Sequence, residues 1–101
     1  MKPPTDFEKI IDRKRYNTAT ATLLAGDDFW DGHNFERSGR NTFLYRTPRG
    51  AYFQVILTQW QGERDTLTPL TLDQAIELYE HLAEKRVEDQ DAFPGVDVQD
   101  A

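Results

Sequence analysis

LYRTPRGAYFQVILTQW, residues 44–60, decides the fold. Its middle, Thr47-Pro48-Arg49-Gly50, reads as a hairpin turn. Proline presets φ at the second position, and glycine takes the left-handed conformation that closes a bulged loop. After the turn, Ala51 to Trp60 is apolar on both sides. Phe53, Val55 and Leu57 fall on one face, and Tyr52, Ile56 and Trp60 on the other, because side chains alternate along a strand. Such a strand is either covered on both faces or presents a binding surface. Upstream, NTFLYRT at residues 41–47 makes the partner strand, with Phe43 and Tyr45 on one face and Leu44 and Arg46 on the other. The quoted stretch is therefore expected at the centre of a meander.

Reading downstream, Gln61-Gly62 predicts a second turn and DTLTPL a short third strand. That strand belongs at an edge because Pro69 cannot donate to a ladder. Thr71 then predicts a helix start, with Gln74 three residues on completing a capping box and Asp73 favoured by the helix dipole. Leu72, Ala75, Ile76, Tyr79, Leu82 and Ala83 recur at helical spacing and predict one apolar stripe, which the sheet alone is large enough to cover. Upstream, residues 13–17 read as a short strand. Residues 18–25 read as a second extended segment, since Thr and Ala alternate from Thr18 to Thr22 and threonine is stiff at χ1. Residues 1–12 read as an arm interrupted by Pro3-Pro4, with Phe7, Ile10 and Ile11 able to form a helical turn capped by Thr5 or Asp6. Residues 26–40 form a long polar loop bearing Phe29, Trp30 and Phe35. The expected fold is α+β: an antiparallel β-meander of three to five strands with one C-terminal amphipathic helix packed on one face. The domain spans residues 13–86, and an acidic, flexible tail covers residues 87–101, with Phe93, Val96 and Val98 able to anchor it locally.

The 101 residues suit one domain, and the absence of cysteine excludes disulfides and thiolate chemistry. The opening MKPPTDFEK has no apolar run behind its lysine, and no aliphatic run approaches membrane-spanning length, so a cytoplasmic location is expected. The net charge of −6 is unevenly spread. Residues 1–70 hold ten Lys/Arg against nine Asp/Glu, net +1, whereas residues 71–101 hold two against nine, net −7. Neither a strongly basic duplex-binding domain nor a whole-surface mimic of nucleic acid fits that division.

The order KRYNTATA, an aromatic loop, TFLYRTPRGAYF and LTPLTLDQAIELYEHL resembles a group of small uncharacterised bacterial proteins. These share a Lys-x-Tyr-[Asn/Asp]-Thr-x-x-Ala start, a Leu-Tyr-[Arg/Lys]-x-x-x-Gly-x-[Tyr/Trp/Phe]-Phe hairpin and a Pro-Leu-[Ser/Thr] helix entry. They often look like accessory or mobile-element factors. The likeness covers residues 13–85 and departs in the 26–40 loop and the tail. No activity attaches to the group, so the resemblance implies architecture and bacterial origin alone.

Catalytic constellations are weak. Asp27, Asp28, Asp31, His33, Asn34 and Glu36 offer oxygen and nitrogen ligands, but Phe29 takes a ligand position of the calcium-loop pattern and Ser38 replaces its closing Glu. No metal site and no cofactor are expected. His81 follows Glu77 by four residues on the helix, yet Ser38 is the only serine and no nucleophile elbow surrounds it. Glu63, Arg64 and Asp65 beside Trp60 read as a solvated turn with an ion pair. The expected protein is not an enzyme. It is a protein–protein interaction module, with self-association possible and no membrane partner. The proposed contact residues are Trp30, Phe35, Arg37, Arg40, Tyr45, Arg46, Arg49, Tyr52 and Trp60, on the second sheet face and the 26–40 loop. Arginines interleaved with aromatics supply the alternative of single-stranded nucleic-acid binding.

Overall fold

A computed structural model of the chain describes residues 3–27, 40–58, 62–82 and 84–96. Its elements run β1 (Glu8–Ile11), β2 (Lys14–Asn17), β3 (Thr22–Gly26), β4 (Arg40–Arg46), β5 (Tyr52–Thr58), β6 (Thr66–Leu70), α1 (Leu72–His81), β7 (Glu84–Lys85) and α2 (Asp89–Ala92). The fold is α+β. An antiparallel five-stranded sheet in the order β6-β5-β4-β3-β7 carries helix α1 on one face, and β1 and β2 form a separate two-stranded hairpin.

The central turn forms as its residues require. Gly50 has φ +87° and donates its N–H to the Thr47 carbonyl at 2.9 Å, while the Thr47 N–H reaches the Ala51 carbonyl at 2.8 Å. This sets the register of β4 against β5, with Tyr45 opposite Phe53 and Phe43 opposite Val55. β6 takes the far edge, Pro69 opposite Phe53.

Alternation then divides the side chains into two cores. On the helix side, Leu24, Leu44 and Tyr52 meet Ala75, Tyr79 and Leu82 of the α1 region. The capping box at Thr71 and Gln74 is complete, with Thr71 Oγ1 accepting from the Gln74 N–H at 3.2 Å and Gln74 Oε1 from the Thr71 N–H at 2.9 Å. Leu72, expected in the buried stripe, is 44% exposed, because it stands at the first helical position before the stripe turns onto the sheet. Ala83 lies outside the described residues.

Three other expectations need correction. Residues 8–11 pair with β2 as a strand and form no helical turn. Their two-residue connection, Asp12 at φ 53° and Arg13 at φ 64°, bends the chain straight back. Residues 18–21 turn before β3 begins, since Asn17 Oδ1 captures the Ala19 N–H at 2.8 Å and its carbonyl takes the N–H groups of Thr20 and Ala21. A bulge in β3 between Leu23 and Ala25 then sends both Leu24 and Ala25 to the helix-side core. Finally, the tail expected to be flexible from Val87 onward packs as far as Val96. Phe93 is 1% exposed, its ring 5.2 Å from that of Tyr52 and 5.4 Å edge-on to that of Tyr79. The Ala92 carbonyl accepts from the Tyr52 hydroxyl at 2.9 Å, and Arg46 Nη1 reaches the Asp91 carbonyl at 3.0 Å. One aromatic anchor and an arginine at the last helical carbonyls outweigh the acidic composition there.

Candidate functional site: a basic cleft beside the N-terminal hairpin

The reverse face of the sheet is covered by the chain itself. Tyr16 from β2 joins Phe43, Tyr45, Phe53, Val55 and Leu67 in a second core, with Phe7, Ile11 and Leu57 packed against it. The rings of Tyr45 and Phe53 stack at 5.2 Å, and Tyr16 stands edge-on to Phe53 at 5.6 Å. The Tyr45 hydroxyl donates to the Pro4 carbonyl at 2.8 Å, and the backbone of Phe7 is tied to Thr18 on both sides, Thr18 N–H to Phe7 O and Phe7 N–H to Thr18 Oγ1, each at 2.9 Å. Sequence reasoning treated residues 1–12 as an arm because the two prolines hid a strand only four residues long. Phe7 and Ile11 were the available signal.

Covering that face redistributes the residues proposed as contacts. Tyr45 and Tyr52 are buried, one in each core. Arg46 is committed to the α2 carbonyls. Arg40 lies across the sheet surface in a bidentate pair with Glu63, Nε to Oε1 at 3.1 Å and Nη2 to Oε2, and Thr58 Oγ1 donates to the same carboxylate at 2.7 Å. The arginine and the threonine hydroxyl hold the Glu63 carboxyl below its ordinary value. Asp65 Oδ1 accepts the Thr58 N–H at 2.9 Å, so both acids brace the β5 end at Thr58. Trp30, Phe35, Arg37 and Trp60 lie outside the described residues, as do Phe29, His33 and Ser38.

Of the described set, Arg40 borders a shallow groove with Ile56, Thr58 and Thr66, and Arg49 lines a more enclosed depression. A cleft of about 560 Å³ runs between the β1–β2 hairpin and the β4–β5 turn, walled by Arg13, Lys14, Arg15, Tyr16, Thr47, Arg49 and Ala51. That volume suits a small ligand or a few residues of peptide, as such sites span roughly 300–1,000 Å³. Its wall carries four cations and no carboxylate. Arg15 pairs with Glu8 at 3.4 Å on the outside of the hairpin, whereas Arg13, Lys14 and Arg49 have no ion-pair partner among the described residues. The cationic run Arg13-Lys14-Arg15 was legible in sequence. Its meeting with Arg49 was not, because it depends on where the hairpin lands.

Other features offer less. His81 is exposed on the last turn of α1, beside a shallow groove shared with Gln54, Leu70 and Glu77. No group of three or more His, Asp or Glu side chains converges among the described residues. None of their helices is long and apolar enough to cross a membrane. No family model matches this chain, and no curated protein or solved structure matches it.

Proposed function

We propose that the protein is a non-enzymatic protein-interaction module of the bacterial cytoplasm, and that the basic cleft is its contact site. One observation carries this reading: three cations with no ion-pair partner among the described residues, and a fourth, line one cleft in a chain whose net charge is −6. Concentrated opposite charge speeds encounter and selects partners. Both greasy faces of the sheet are used internally, so recognition falls to the seam between hairpin and sheet.

Single-stranded nucleic acid is the second reading, favoured by the same cations. It needs exposed rings on which bases stack, and among the described aromatics Tyr16, Tyr45 and Tyr52 are buried. The test is capture from nuclease-treated bacterial lysate with tagged wild type and the Arg13→Glu/Arg49→Glu variant. Proteins retained by wild type and lost with the variant are the expected result. Identical captures by both would contradict the proposal, as would proteins retained from untreated lysate but lost from the nuclease-treated one.

A further inference from the structure

We infer that the cleft takes an extended acidic segment of a partner protein, added as a strand to the free edge of β2. This rests on the protein-binding reading above and gives it a ligand class and a docking mode.

The register of the hairpin supplies the edge. Ile11 faces Lys14 across a two-residue loop, so that pair exchanges both backbone hydrogen bonds and the next pair, Ile10 and Arg15, exchanges none. The Arg15 N–H and C=O therefore point away from β1. Alternation turns the Arg15 side chain outward with Ile10, which is 61% exposed, and puts the exposed Lys14 on the same face as the buried Tyr16. What Arg15 brings to the cleft edge is its main chain. Residues 13–16 line the cleft as a continuous run, as a strand edge would.

The two edges of the five-stranded sheet suit this mode less well. Pro69 removes a donor from β6, and β7 has two residues. Beside β2, by contrast, a peptide strand would lie between Lys14 on one wall and Arg49 on the other. Carboxylates at every second position would face those cations together, and Arg13 would close the end of the cleft.

Arg13 stands at the second position of the two-residue turn, where the hairpin demands a positive φ; its 64° is a left-handed conformation that glycine adopts freely and arginine does not. The ladder itself is short. Past Arg15, the Asn17 carbonyl already accepts from Thr20 and Ala21 at 3.3 and 3.1 Å. Main-chain pairing therefore sets direction, and charge sets the partner.

The experiment titrates the full chain with fluorescent acetyl-(Glu-Thr)4-amide, with the same peptide N-methylated along its backbone, and with a twelve-residue oligothymidylate, following anisotropy and the Arg15 amide resonance. The expected result is binding of the plain peptide with a downfield Arg15 amide shift, at least about fivefold weakening by N-methylation, and about tenfold weakening in Arg49→Glu. Arg13→Gly binds severalfold more weakly while melting no earlier than wild type. Equal affinity for the two peptides, or no binding of either, overturns strand addition. So does unchanged affinity in both variants. Tighter binding of the oligothymidylate than of the plain peptide overturns the protein-binding reading itself.

Discussion

The two faces of the sheet are covered by different means. On one, a ten-residue capped helix lays down Ala75 and Tyr79, and the segment beyond it adds Phe93. On the other, two four-residue strands and their flanks supply Tyr16, Phe7 and Ile11. A helix covers its face with a continuous stripe. A narrow hairpin covers only the middle of its face and leaves a gap at the rim, and that gap is the basic cleft. The helix face is thus occupied by structure, and the hairpin face combines structure with an opening for a ligand.

The sharpest way to break this comparison is to remove one anchor from each face. Phe53 and Phe93 are at most 1% exposed. Each replaced by alanine should lose about 3–5 kcal/mol in urea unfolding, the usual range for a buried phenylalanine. A Phe53→Ala loss below about 1 kcal/mol would mean that the hairpin is a loose cover and no true core lies beneath it. Next in size, Thr71→Ala removes the acceptor for the Gln74 N–H and should cost about 1 kcal/mol, with the cleft's peptide affinity unchanged. Loss of affinity would couple faces that this account keeps separate.

A smaller effect of opposite sign sharpens the contrast. Arg13→Gly relieves a left-handed arginine at the expense of glycine's extra freedom when unfolded, for a net gain of roughly 0.5 kcal/mol. A raised melting temperature with weakened peptide binding would separate stability from recognition at one residue. The smallest effect concerns the rim pair of Arg40 and Glu63. The folded Glu63 carboxyl titrates below its ordinary value because Arg40 and Thr58 donate to it. Its contribution is therefore fully present above the unfolded glutamate value and is lost as pH falls through the lowered folded one. A carboxyl-carbon titration by NMR should show the depressed midpoint, and Arg40→Ala should raise it toward the ordinary value.

Much of the helix face was legible in the sequence. Gly50 announced the hairpin, Thr71 and Gln74 announced the helix, and alternation separated Leu44 from Tyr45. Those signals are local, within a few residues of the structure they set. The hairpin face was not legible to the same degree. Pro3-Pro4 and the charged run Arg13-Lys14-Arg15 read as an arm and a surface strand, because what makes them cover is a long-range fit of Tyr16 to Phe53. Phe93 was legible as a local anchor of the tail, but its acidic surroundings suggest solvent, and its place between Tyr52 and Tyr79 depends on the fold. Arg49 was marked as a contact for the company of nearby aromatics, whereas its partners at the cleft are Arg13 and Lys14.

The central claim is that residues 3–18 fold back over the reverse face, shaping both a core and a cleft. Nuclear Overhauser contacts between the ring protons of Tyr16 and Phe53, whose centroids lie 5.6 Å apart, test it most directly. The account requires those contacts, together with an upfield-shifted Phe53 ring lying over Tyr45. Absent contacts, with Tyr16 ring shifts matching those of a free peptide, would contradict it.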